Sequence, residues 1–127
     1  MAAKQVIKPA NVPAPIGPYS VAVRVGDLLF CSGQIALDPA TGQLVGDDIR
    51  TQTERVMQNI KAILEDQRLT LANVVKTTVY LTDLDDFAGM NEVYAKYFAA
   101  DYPARSTVEV SALPRGAKVE IEVIAHY

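Results

Sequence analysis

The sequence predicts a single α+β domain built as a two-layer sandwich, with a mixed β-sheet and two helices on one of its faces. Three observations carry that prediction. Six short runs rich in Val, Ile, Leu, Phe and Tyr have the length of strands. Two longer segments instead repeat apolar residues at helical spacing. The order is β-β-β-α-β-α-β-β, with no internal repeat, low-complexity tract or linker. Crossover helices of the usual hand then lie together on one sheet face.

Residues 3–8 fit a short edge strand. Prolines 9, 13, 15 and 18 then hold an extended arm up to Tyr19, because each fixes φ and removes a backbone donor. The apolar segments 19–25 and 28–35 are separated only by Gly26-Asp27, a two-residue hairpin signal. That turn pairs Val25 with Leu28, Val21 with Ser32 and Tyr19 with Gln34. Tyr19, Val21, Val23, Phe30, Ser32 and Gln34 then share one face of the sheet. After the polar stretch DPATGQLVGDD, a helix is expected from about Asp48 to Arg68, with Ile49, Val56, Ile60, Ile63 and Leu64 as its apolar stripe. Either Asp48 or a capping box at Thr51-Gln52-Thr53-Glu54 starts it. VVKTTVYLT at 74–82 reads as a strand. Asp83 or Asp85 then caps a second helix to about Ala99, with Leu84, Phe87, Tyr94 and Phe98 turned to the core. Strands at about 104–111 and 117–125 close the chain.

At 127 residues the chain is long enough for one core without metals or disulfides. Its net charge of −3 provides no general attraction for nucleic acid or an anionic membrane. A single focused Arg can still hold a carboxylate. The lone Cys31 forms no internal disulfide, which favours a reducing compartment. MAAKQVIK lacks the apolar core of a signal peptide, and Arg24, Gly26 and Asp27 interrupt the best apolar run. A soluble, cytoplasmic protein is expected.

The segment YPARSTVEV at 102–110 poses the functional question. Val108 and Val110 share one face, and Arg105, Thr107 and Glu109 the other. In VEIEVIA, Val119, Ile121 and Val123 oppose Glu120 and Glu122. Burying the apolar set of each strand under the helices puts Arg105, Thr107, Glu120 and Glu122 on the open face. If Thr107 pairs with Glu120, then Arg105 and Glu120 are diagonal neighbours, roughly 7–8 Å apart at the backbone. Two helices cover only one side of the sheet. An open face that mixes apolar and polar groups is therefore an oligomerisation signal, with Arg105 at the rim of a subunit interface.

Ordinary readings stand beside these. Taken alone, Arg105 reads first as an exposed strand-end cation, with Glu109 as a salt-bridge partner and Glu120 and Glu122 as a solvated face. Asn91, four after Phe87 and three before Tyr94, is either a buried amide bonded to backbone or a group at a pocket edge. Cys31 reads as core and His126 as surface. No His/Cys/carboxylate cluster has metal-ligand spacing, Gly26, Gly33 and Gly42 make no phosphate loop, and no stripe of basic and aromatic residues suits RNA.

Assembled, these segments resemble the RidA (YjgF/UK114) family of enamine/imine deaminases from end to end. The resemblance is carried by PAPIGPY at 13–19, CSGQI at 31–35, VVKTTVYLTDLDDF at 74–87 and N-x-x-Y at 91–94. Its most specific part is PARSTVEVSALPRGAKVEIE at 103–122. It implies a chorismate-mutase-like fold and a homotrimer with a central barrel and intersubunit active sites. It further implies hydrolysis, without a cofactor, of imines derived from 2-aminoacrylate and 2-aminocrotonate to 2-keto acids and ammonia. By the same resemblance Arg105 binds the substrate carboxylate and Glu120 holds the attacking water. Tyr19, Ser32, Gly33 and Asn91 match other pocket positions, and Thr107 lends its backbone N–H. Thr107 stands where Cys is common, and Val21 where Gln is frequent. A chorismate mutase of the same fold would want more cations than Arg105. A regulatory or chaperone-like trimer would use the cleft only to bind small acids. The acidic charge and the absence of a His pair argue against a ribonuclease.

Overall fold

The computed structural model describes residues 3–127. Its main elements follow the expected order: β1 (Gln5–Ile7), β2 (Ala22–Val25), β3 (Leu28–Gln34), α1 (Ile49–Asp66), β4 (Val74–Leu81), α2 (Phe87–Ala95), β5 (Ala104–Glu109) and β6 (Val119–His126). The strands form one sheet in the order β1-β2-β3-β6-β4-β5. The β4–β5 pair is parallel and the others are antiparallel. Among the described residues, no helix is long and apolar enough to cross a membrane.

Local chemistry sets these elements. Gly26, with φ of 58°, turns the chain so that Val25 pairs with Leu28. Strand alternation then sends Ala22, Leu29 and Cys31 inward and leaves Leu28 and Phe30 outside. Asp48 caps α1 by accepting from the Thr51 N–H, so the alternative box at Thr51 is not used. The expected α1 stripe is buried against Val119, Ile121 and Val123 of β6 and the inward residues of β3. Two amides on the same helix are buried as well. Gln52 accepts from the Lys118 N–H at 2.8 Å and donates to the Gly46 carbonyl at 3.1 Å. Asn59 donates to the Leu37 carbonyl at 3.0 Å. These bonds tie the 35–46 loop and the start of β6 to α1 and satisfy carbonyls that would otherwise be buried unpaired.

The structure corrects several expectations. Strands β5 and β6 do not pair; β4 lies between them. Thr107 therefore sits opposite Val79, not Glu120. A one-residue bulge in β3 between Cys31 and Gln34 reverses the alternation, so Gln34 is buried opposite Ile121 instead of sharing the face of Ser32. Val21, before the start of β2, is buried in the main core, not displayed on the open face. Helix α2 is shorter than expected. It follows a 3-10 turn at Leu84–Asp86, capped by Asp83, and unwinds after Ala95 through tight i→i+3 bonds. Tyr94 and Phe98 are core residues, whereas Leu84 and Phe87 are exposed.

Cys31 has lost nearly all contact with water, and burial pushes its thiol up to about 12. It should resist alkylation in the native protein at pH 8, and Cys31→Ala should cost about 1 kcal/mol. Rapid stoichiometric labelling without unfolding would contradict its place in the core. Asn59→Ala should cost about 2 kcal/mol, read as a lower urea midpoint with unchanged slope at fixed protein concentration. An unaltered midpoint would show that the loop does not depend on this amide.

Candidate active site

The two chemically distinctive side chains lie on opposite faces of the sheet. Residues in register on parallel neighbours share a face, and Arg105 is in register with Thr77. Thr77 is buried under the helices, with its hydroxyl 2.9 Å from Tyr94 Oη on α2. Arg105 thus lies on the helix side of the edge strand β5, contrary to the expectation that it faces away. The valine alternation misled because the outward Val108 is left uncovered, not buried.

On that side Arg105 is half-buried. Its guanidinium carbon stands 4.9 Å from the Tyr94 ring centre and 5.5 Å from that of Phe87. Burial is the main cause that raises the Tyr94 phenol, offset by Thr77 and the Arg105 charge. Glu109 is not the arginine's salt-bridge partner, because its carboxylate accepts from the Leu84 N–H at 2.9 Å. Among the described residues the ion pairs are Arg50–Glu92 and Lys96–Glu54, so Arg105 has no carboxylate of its own. It opens into a cleft of about 320 Å³ lined by Asn91, Tyr94, Ala95, Tyr102 and Pro103. The placement of Asn91 here favours the pocket-edge reading. The Val110 N–H donates to the Leu81 carbonyl of β4. Strand alternation accordingly turns the Thr107 N–H outward, along the unpaired edge.

Glu120 is in register with Tyr80 on β4, out of phase with the buried Val79 and Leu81, and so faces away from the helices. It lines a second cleft with Ile16, Tyr19, Ser32, Gly33, Ile35, Pro114 and Glu122. The β3 bulge shapes this cleft. A β-carbon at residue 33 would overlap the Glu120 carboxylate, so Gly33 is what lets the side chain lie there. The Ser32 hydroxyl donates to the Ser20 carbonyl at 2.6 Å, and the Tyr19 hydroxyl accepts from the Ile16 N–H at 3.1 Å. Those bonds fold the proline arm over the bulge. Burial first, and the Glu122 charge second, push the Glu120 carboxyl above the ordinary glutamate range.

The expected site residues thus fall into two groups. Asn91 and Arg105 gather on one side, with the Thr107 N–H at the adjoining edge; Tyr19, Ser32, Gly33 and Glu120 gather on the other. Within one chain the structure does not bring the two groups together. Sequence reasoning assigned Tyr94 and Phe87 to the core and did not foresee their aromatic seat for Arg105. Nor did it foresee Tyr80, whose hydroxyl bonds Glu122 at 2.5 Å. The i, i+7 spacing of Phe87 and Tyr94 was a visible signal, because it aligns both rings on one helix face. Among the described residues no cluster of His, Cys, Asp or Glu could hold a metal.

Comparison with known proteins fits this geometry. The family model described as Endoribonuclease L-PSP matches residues 9–127. A RutC family protein of Pyrococcus abyssi is 56% identical over 124 residues, covering 98% of each chain. The human 2-iminobutanoate/2-iminopropanoate deaminase is 43% identical over 122 residues, covering 96% of this chain and 89% of its own. The Escherichia coli TdcF structure with bound serine superposes with a TM-score of 0.92 at 41% identity, covering 97% of this chain and 98% of that one. With its fold matched almost end to end and both clefts built from the motifs at 13–19, 31–35, 91–94 and 103–122, the chain belongs to the RidA (YjgF) family, the family of the Endoribonuclease L-PSP model.

Proposed function

We propose that this protein is a cofactor-independent hydrolase of small 2-imino acids, formed from 2-aminoacrylate and 2-aminocrotonate, releasing 2-keto acids and ammonia. The observation that carries the reading is the separation of an unpaired guanidinium and a half-buried carboxylate onto opposite faces of one sheet. Each is half of a site, and the open face gives the means of joining them. That face displays Val6, Val25, Leu28, Phe30 and Val108 beside Glu120 and Glu122. A second copy of the chain packed there buries this apolar area and sets the Arg105 cleft of one protomer against the Glu120 cleft of its neighbour. A closed ring of three copies repeats the junction three times. Relatives support the chemistry by name: the human protein is called an imine deaminase, and TdcF binds an amino acid whose carboxylate is of the class Arg105 can hold.

Arg105 grips the substrate carboxylate through two charge-assisted bonds while the Thr107 N–H supplies a further donor. Glu120 of the neighbouring copy accepts a proton from water as the water oxygen bonds to C2 of the protonated imine. The resulting carbinolamine takes that proton on nitrogen. The C–N bond then breaks, its electrons leave with ammonia, and the hydroxyl oxygen forms the keto C=O as its proton returns to Glu120. Transfer to ammonia as ammonium resets the carboxylate. A carboxyl group raised toward neutral pH suits both directions of this exchange.

Arg105→Ala should lose 2-ketobutyrate binding and reduce kcat/KM by at least about a hundredfold, because two bonds of ~1.5–3 kcal/mol each disappear. Arg105→Lys should be nearly as impaired, since an ammonium cannot reproduce the fork. Glu120→Gln should still bind the keto acid but turn over slowly. Its rate should also lack the acidic limb that the ionisation of Glu120 gives the wild type. Arg105→Ala and Glu120→Gln should each, alone, fall far below the wild-type rate. Mixed and reassembled, they should recover about a quarter of wild-type activity, from random assortment of three subunits with each site shared by two. No recovery in mixed trimers would place both residues in one chain's site, and wild-type turnover by Arg105→Ala would return Arg105 to a strand-end charge. Tight keto-acid binding without any imine hydrolysis would favour a regulatory binder.

A further inference from the structure

The Glu120 cleft contains a second carboxylate that the reaction above does not use. Glu122 lies two residues farther along β6, on the same face, and lines the same cleft. Same-face neighbours on a strand stand roughly 6.5–7 Å apart at the backbone, close enough for like charges to repel. Nothing in the strand requires two acids here, and a solvated pair would turn apart. Instead Glu122 is fixed. Tyr80, in register with Glu120, reaches diagonally across to donate its hydroxyl to Glu122 Oε1 at 2.5 Å. The phenol accordingly holds its own proton more tightly, chiefly through this bond.

We propose that Glu122, pinned by the Tyr80 hydroxyl, is a positioning residue that keeps a fixed negative charge beside Glu120 and thereby sets the pH at which Glu120 exchanges its proton. The inference rests on Glu120 being the proton carrier of the proposed deaminase reaction. Lys118, two residues before Glu120 on the same strand face, does not line the cleft and is common to every variant compared; the groups facing Glu120 are otherwise few. Strand β4 contributes Tyr80, β6 contributes Glu122 and the arm contributes Tyr19. The β3 bulge brings only Ser32 and Gly33, and the turn before β6 brings Pro114. No lysine or arginine lines this cleft among the described residues. In the joined site the Arg105 of the neighbouring copy opposes Glu122 in sign but is common to every variant compared. Burial alone would lift Glu120, and the Glu122 charge lifts it further. Tyr80 holds Glu122 Oε1, and no hydrogen bond joins the two carboxyl groups among the described residues, which leaves Glu120 free for water.

Titration of the Glu120 side-chain carboxyl by carbon-13 NMR in the ligand-free trimer tests this without reference to turnover. Glu122→Gln removes the charge yet keeps an oxygen for Tyr80 to donate to. The sign is fixed: without a like charge the carboxylate forms more easily, so the Glu120 midpoint should fall, by about half to one pH unit. The acidic limb of kcat should move down with it while KM stays nearly constant. Tyr80→Phe, which frees Glu122 to swing into solvent, should lower the midpoint by a smaller amount. It serves as the independent variant should Glu122→Gln fail to assemble. An unchanged Glu120 midpoint in the variants that fold overturns the proposal. A midpoint that falls while the kinetic limb stays fixed supports the coupling and instead refutes Glu120 as the proton carrier.

Discussion

The parallel pairing of β5 with β4 determines where the chemistry lies. β4 is flanked on one side by β6, antiparallel, and on the other by β5, parallel. Along β4, Thr77, Val79 and Leu81 face the helices, so their partners Arg105, Thr107 and Glu109 do too. Thr78 and Tyr80 face away, with Glu122 and Glu120 opposite them. One strand therefore sends the cation and the carboxylates to different sides of the sheet. Had β5 formed a hairpin with β6, the two charges would have neutralised each other on one face. Keeping them apart leaves each without an ion-pair partner among the described residues.

The two clefts are held by different means. Arg105 rests on two aromatic rings whose positions follow from α2 and from the buried Thr77–Tyr94 bond. Rings favour a guanidinium over their faces without consuming its donors, so its N–H groups stay free for an anion. Glu120 instead depends on backbone. The bulge at Ser32-Gly33 removes a side chain from its path, and Ser32 anchors the arm that brings Tyr19 over it. A bulge that re-aims a strand beside a reactive group is a recurrent device. Here it also reverses Gln34 into the core, with its carboxamide 3.4 Å from the Ser32 carbonyl.

Much of this was legible because local signals and burial agreed. Gly26-Asp27 between two apolar runs fixed the first hairpin's register, and Asp48 before Ile49 fixed the start of α1. The alternation of VEIEVIA correctly put Glu120 and Glu122 on the open face. The same rule failed for β5 because it assumes that the apolar side of a strand is the one buried by its own chain. β5 is an edge strand whose outward Val108 has no cover within the chain, so alternation there does not mark the buried side. Gln34 was misplaced for another reason: the mark of the bulge is Gly33 inside a strand run, a signal that strict alternation ignores. The motifs picked out residues that line two clefts, but their spacing in sequence said nothing about the two clefts lying on opposite faces of the sheet.

The open face then carries two requirements that pull against each other. Its apolar residues favour association, while Glu120 and Glu122 would oppose burial of two like charges. The Tyr80 bond eases that conflict by giving one carboxylate a donor that stays in place when water leaves. In the proposed assembly the other carboxylate would meet its cation across the junction. Assembly and site formation are one event in the proposed trimer. Under that proposal, a lone protomer would have the carboxylate clamp without its water, and closing the ring would supply the water-holding group in the same step that excludes bulk solvent. The proposed arrangement would account for the placement of Arg105 and Glu120 in separate clefts of a single chain.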